Sequence, residues 1–119
     1  MKKRFRVKRN EEFQKIITRR KSVTGKAFIL YYGPSFSFAS GRVGISASKK
    51  LGNAVVRNRI KRQVRMMAME LTRFEIKYDI IIIVRNKYLE RTFEDNKKEL
   101  LTLYETVYNK IDDELIKEN

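Results

Sequence analysis

The spacing of apolar residues changes from stretch to stretch along this chain, and each change marks a predicted element. Phe13, Ile16 and Ile17 recur at helical spacing, with Arg20 on the same side. Asn10 before them suits an N-cap, and Glu11 and Glu12 suit the positive end of a helix dipole, so a first helix is predicted from Asn10 to about Lys21. Ala27–Tyr32 is aromatic and β-branched and reads as a strand. Gly33-Pro34-Ser35 punctuates it, and the stretch to Ser40 reads as a hairpin loop whose Phe36 and Phe38, like Tyr32, are expected to pack in core or loop. Gly41–Ala47 is then the return strand, with Val43 and Ile45 alternating against Arg42 and Gly44. From Asn53 to Leu71 the period is helical: Val56, Ile60, Val64, Met67 and Leu71 share one arc about 80° wide. Ile80–Val84 is continuously apolar, as in a central strand covered on both faces. Thr92 and Asp95 resemble a capping box that opens a last helix to about Lys110, with Leu100, Leu103, Tyr104 and Val107 facing inward. The acidic segment 112–119 is expected to fray. With no repeat or linker, residues 1–119 predict one α+β domain, an α/β sandwich around a small mixed central sheet.

Composition narrows the function. The chain is 42% hydrophobic, enough for a real core, but its longest apolar run is far short of the ~20 residues that span a bilayer. No apolar region follows Met1-Lys2-Lys3-Arg4, so neither a secretory signal nor a membrane partner is expected. The chain has no Cys, which is compatible with a reducing compartment and a cytoplasmic location. It also has no His. The commonest general base, thiol nucleophiles and nearly all transition-metal ligands are therefore missing. A carboxylate pair would have to come from Glu11, Glu12 or the C-terminal half, so no catalytic residue and no dedicated metal site is assigned.

Charge points to the partner. Residues 1–69 carry nineteen Lys and Arg and two carboxylates, whereas residues 70–119 carry nine and twelve. Between Glu12 and Glu70 there is no carboxylate and there are thirteen Lys and Arg. A half-chain free of carboxylates avoids repelling a polyanion, and nucleic acid is the natural one. The cations concentrate on the helix after Gly52. Arg57, Lys61 and Arg65 step by four along one edge, with Asn58, Arg59 and Arg62 further round. Packing them together costs repulsion at every i,i+4 pair, and phosphate would relieve it, with Arg making bidentate contacts. Lys49, Lys50 and Asn53 flank the helix start, where Gly52 permits a tight turn and free N–H groups favour an anion. A basic face that merely meets solvent is the plainer alternative, and it leaves the missing counter-charges unexplained. The basic arm of residues 1–9 (Lys2, Lys3, Arg4, Arg6, Lys8, Arg9) fits an RNA contact and a solubilising tail equally well.

The run Ser48-Lys49-Lys50-Leu51-Gly52-Asn53-Ala54-Val55-Val56-Arg57-Asn58-Arg59-Ile60-Lys61-Arg62 resembles the signature of the bacterial ribonuclease P protein subunit. The basic arm, Phe13-Gln14-Lys15, Phe28–Tyr31 and Arg42–Ser46 resemble that family in the same order, so the likeness covers about residues 1–110. It implies αβββαβα order with a left-handed βαβ crossover, where right-handed is the default. It implies that a partner RNA with bound Mg²⁺ performs the chemistry, one protein per RNA, on precursor tRNA. It also reassigns Phe13 and Ile17. Their spacing alone reads as core, though a first helix packed beside the sheet would let them line a groove with Tyr31, edged by Lys15, Arg19, Lys49 and Arg62, and the resemblance implies that this cleft holds the 5′ leader. Ile17 stands where the family pattern has a second aromatic, so apolar contact rather than stacking is expected there. The rival readings are a ribosomal-type RNA-binding protein, a protein nuclease built on Glu70, Glu75 or Asp79, and a helix-turn-helix DNA binder. The last fits worst, because a strand precedes the basic helix.

Overall fold

The run Ile80–Val84 needs cover on both sides, and the computed structural model, which describes residues 6–7, 10–19, 21–35 and 40–118, supplies it. The elements are α1 (Asn10–Thr18), β1 (Ser22–Thr24), β2 (Phe28–Pro34), β3 (Val43–Ala47), α2 (Ala54–Leu71), β4 (Tyr78–Val84) and α3 (Phe93–Glu118). This is the expected αβββαβα order, with 3₁₀ turns at Lys49–Leu51 and Asn86–Glu90. The sheet order is β1-β2-β4-β3. On one face Phe28, Leu30, Tyr32, Val43, Ile80 and Ile82 join Ile60 and Val64 of α2 and Leu100, Tyr104 and Val107 of α3. On the other, Ile81 packs with Ile16 of α1 and with Val7, and half-buried Phe13, Tyr31 and Ile83 close around them. Burying each such aliphatic side chain contributes about 1.5–3 kcal/mol.

Four expectations change, the last of them in α3. β2 and β3 do not form a hairpin: β2 pairs antiparallel with β4, and β3 pairs parallel with β4 on its far side. The alternation in each strand was legible, but pairing across the chain is set by which strand is apolar on both faces and so takes the middle. β2 also runs through Gly33 to Pro34, which stands opposite Tyr78. Helix α1 stops at Thr18 rather than Lys21, because Ser22–Thr24 is claimed by β1, a strand too short to show a period. The arm residues 1–5 and 8–9, Arg20, and Phe36 and Phe38 lie outside the described residues.

Helix α3 continues to Glu118 instead of stopping near Lys110. Glu114, in the segment expected to fray, accepts hydrogen bonds from Lys21 Nζ at 2.7 Å and from the Tyr78 hydroxyl at 3.0 Å. Burial alone would raise the Glu114 carboxyl, but the bonds from Lys21 and Tyr78 outweigh it and hold the group below the usual glutamate range. A carboxyl with a depressed folded pKa contributes stability above its unfolded pKa, and loses it as pH falls through the folded value. Wild type should therefore melt higher than Glu114→Gln at neutral pH, with the gap closing below about pH 4, the ordinary glutamate range. A gap that stays constant down to about pH 3 in circular-dichroism melts would show that the charge on Glu114 contributes nothing.

Candidate nucleic-acid interface

Helix α2 begins where the sequence places its start. Asn53 Oδ1 accepts from the Val56 N–H at 3.0 Å, so its side-chain oxygen is committed to the cap rather than to a ligand. Gly52 has φ 141°, a conformation that favours glycine, and a Cβ there would meet Val56. The turn holds Lys49 and Lys50 in solvent next to the open N–H groups of the first helical turn. Ile60, Val64, Met67 and Ala68 point into the core. Arg57, Lys61 and Arg65 are half-buried along one flank of that stripe, and Asn58, Arg59 and Arg62 stand exposed on the outer face.

The ion pairs of the described residues all lie off the stretch from Lys49 to Arg65. Arg91 is paired with Glu99, Lys97 with Glu70, Lys87 with Glu90, Lys21 with Glu114, and Arg42 with both Glu12 and Asp79. Among the described residues, none of Lys49, Lys50, Arg57, Arg59, Lys61, Arg62 and Arg65 is in an ion pair. Arg57 Nε and Arg65 Nε are also covered without a hydrogen-bond partner. Burial, and then the like charge of Arg6, lower the Arg65 pKa from its ordinary value. A surface that accumulates this repulsion is built to be neutralised by an anion.

The flank formed by Lys61 and Arg65 faces α1 across a groove. One hollow of about 420 Å³ is lined by Phe13, Ile17, Ile45 and Lys61, among others. An adjoining one of about 240 Å³ is lined by Arg6, Val43, Lys61 and Arg65. The segment at Val7 forms one wall, and its N–H donates to the Val43 carbonyl at 3.0 Å on the open edge of β3. Phe13 and Ile17 thus both line the groove, and Phe13 also packs against the cluster of Ile16 and Ile81. Tyr31 packs in the same apolar cluster as Phe13 but does not line the groove. The expected edge changes too. Lys61, not Lys15, Arg19, Lys49 or Arg62, is the cation that lines the larger hollow. Arg19 instead lies across Gly33, where an added Cβ would come within 3.2 Å of its Nη1. The reason is register: Gly33, Asp79 and Arg42 form one row across the sheet, and Tyr31, Ile81 and Gly44 the next, so α1 spreads its residues over different rows.

Two features that position the groove were not read from the sequence. Gly44 lets the Phe13 ring lie against the sheet, since a Cβ there would stand 2.5 Å from Phe13 Cζ. Arg42, expected merely to alternate with apolar neighbours, ties α1 to the sheet. Its Nη1 reaches both Glu12 oxygens at 3.1 Å, its Nη2 reaches Asp79 Oδ2 at 2.9 Å, and its own N–H donates to Asp79 Oδ1 at 2.9 Å. Burial opposes the Arg42 charge, but the two carboxylates outweigh it and raise its pKa. The available signal was Asp79, a buried carboxylate next to a continuous apolar run, which demands a partner. Among the described residues no three His, Cys, Asp or Glu side chains gather as a metal site. Nor is any described helix long and apolar enough to cross a membrane.

The chain is similar to known proteins over most of its length. The sequence model of the Ribonuclease P family matches residues 1–108. The Ribonuclease P protein component of Mesoplasma florum is 45% identical over 102 residues, which cover 84% of this chain and 92% of that protein. A solved structure of a Staphylococcus aureus RNase P protein mutant, described as defective in mRNA degradation activity, superposes with a TM-score of 0.80 at 34% identity. It covers 89% of this chain and 90% of that one. The RNase P protein from Thermotoga maritima, at 24% identity and a TM-score of 0.70 over 83% of this chain and 94% of that one, shares the fold.

Proposed function

The chain belongs to the Ribonuclease P family, and from that premise we propose that it serves as the protein subunit of an RNA-based endonuclease that removes 5′ leaders from precursor tRNA. The exposed face of α2, with Lys49 and Lys50, docks on the catalytic RNA. The groove beneath α1 takes the leader, its bases against Phe13 and Ile17 and its phosphates near Lys61 and Arg65. Mg²⁺ is held by the RNA, and the protein's part is to position substrate and reduce phosphate repulsion around that site. The observation that carries the reading is the row of cations from Lys49 to Arg65, none of them in an ion pair, in a stretch with no carboxylate between Glu12 and Glu70. A cytoplasmic location and one protein per RNA go with it.

The test is cleavage of a 5′-extended precursor tRNA at low Mg²⁺ by the RNA subunit, the protein, and both together. Cleavage only with both is expected. Cleavage by protein alone would make the chain a nuclease, and the description of the Staphylococcus aureus mutant makes an mRNA substrate the useful control in that arm. No stimulation of a competent RNA subunit would favour a ribosomal-type RNA-binding protein.

A further inference from the structure

On the flank of α2 away from the groove lies a second cavity, of about 260 Å³, between α2, the Asn86–Glu90 turn and the first turn of α3. Its walls differ in character. Leu89 and Phe93 are apolar, 50% and 40% exposed, and both line the cavity. Gln63 accepts from the Tyr88 hydroxyl at 2.7 Å through Oε1, so its amide N–H groups remain as donors. Burial pushes the Tyr88 hydroxyl up to about 12, against the pull of Arg59, so it stays protonated and keeps donating. Asn96 is 1% exposed, and its Nδ2 donates to the Tyr88 carbonyl at 3.0 Å. A carbonyl can only accept, so the amide orientation is fixed, and Asn96 Oδ1 is left without a donor. An orphan buried acceptor in a native structure calls for an explanation, and a ligand is one. Arg59, unpaired, stands on the same wall.

Apolar surface for a ring, donors and an acceptor for its edge, and a guanidinium for a phosphate together make a nucleotide site. The volume is below the roughly 300–1,000 Å³ of drug-sized sites, which suits one base rather than a larger ligand. We propose that this cavity takes a single unstacked nucleotide of the RNA on which α2 docks, its base against Phe93 and Leu89 and its phosphate on Arg59. The inference rests on the docking role given to α2 above. RNA is favoured over a protein partner because the α2 wall, with Arg59, continues into the carboxylate-free basic face of that helix, while Glu90, Glu94 and Asp95 stand on the opposite segments and do not line the cavity.

The test is filter binding of full-length protein to RNase P RNA across a salt series, with Phe93→Ala, Leu89→Ala and Phe93→Tyr. Loss of one base–aromatic contact predicts binding roughly 5- to 150-fold weaker for Phe93→Ala. Leu89→Ala should lose less, and Phe93→Tyr, which keeps the ring, should bind like wild type. The log–log salt slope should not change, because stacking releases no counter-ions. Mapping with dimethyl sulfate and a carbodiimide, which together probe all four unpaired bases, should find one unpaired base protected by wild type and released by Phe93→Ala, with the remaining footprint intact. Unchanged affinity in Phe93→Ala, or no base that loses protection, overturns the proposal. Failure of wild type to bind this RNA would overturn the docking role as well, so the two failures are separable. Should Phe93→Ala melt early, Leu89→Ala and Phe93→Tyr carry the comparison.

Discussion

Arg42→Met should lower the free energy of unfolding by about 3–5 kcal/mol, the usual cost of removing one partner from a buried ion pair. The Arg42 side chain is 11% exposed and that of Asp79 is 0%, so Met would leave a carboxylate in the interior with no cation to meet it. That is a large fraction of the roughly 5–15 kcal/mol of a typical domain. Denaturant unfolding measures it, and a double replacement separates the causes. Asp79→Leu in the Arg42→Met background removes the stranded charge and should recover much of the loss, since well-packed apolar replacements of buried pairs are often neutral. Stability that stays low in the double variant would mean that the hydrogen bond from the Arg42 N–H to Asp79 matters more than the charges. A second readout follows from geometry. Glu12 precedes Phe13, so releasing Glu12 loosens α1 over the groove. The double variant should therefore fold, yet discriminate less between leader-bearing and mature tRNA. Full discrimination there would show that packing of Ile16 alone holds α1 in place.

The elements that were legible in the sequence are those whose burial is decided locally. The α2 stripe and the β4 run are each fixed by residues a few positions apart, and both appear as read. The inward stripe of α3 was equally plain, because Leu100, Leu103, Tyr104 and Val107 satisfy one period. What failed depended on distant partners. The β2–β3 hairpin was inferred from chain proximity, whereas β4 inserts between them and takes both edges. The end of α3 looked frayed from its acidity, and only the approach of Lys21 and Tyr78, some 93 and 36 residues away in sequence, gives Glu114 a reason to be ordered.

The interface divides along the same line. The outward basic face of α2 is a helical-wheel property, so the positions of Arg57, Asn58, Arg59, Lys61, Arg62 and Arg65 follow from residue spacing alone. The groove does not: it requires α1, the β3 edge and α2 to converge. That is why Lys61 and Arg65 turn out to face the groove while Lys15, Arg19 and Lys49 do not line it. Gly44 shows how such a convergence could still leave a trace. A glycine inside an alternating strand often marks a close approach, and here the approaching group is Phe13.

Arg59→Ala with Arg62→Ala should weaken binding to the catalytic RNA on the order of 100-fold at moderate salt, taking tenfold, or about 1.4 kcal/mol, for each guanidinium. Both side chains are exposed and lie off the apolar stripe, and neither is in an ion pair among the described residues. The fold should therefore hold, with thermal stability within about 0.5 kcal/mol of wild type or slightly above it, because like charges on one helix repel. The salt series distinguishes mechanisms. Each lost phosphate contact removes about 0.7–0.9 from the log–log slope, so the double variant should be shallower by roughly 1.4–1.8 and its deficit should shrink as salt rises. An equal deficit at all salt concentrations would mean that the two arginines read bases or shape rather than phosphate. A large fall in melting temperature would assign them to the core and overturn the helical wheel. If affinity is unchanged, α2 is not the docking surface, and the unpaired cations of this helix must answer to a different anion.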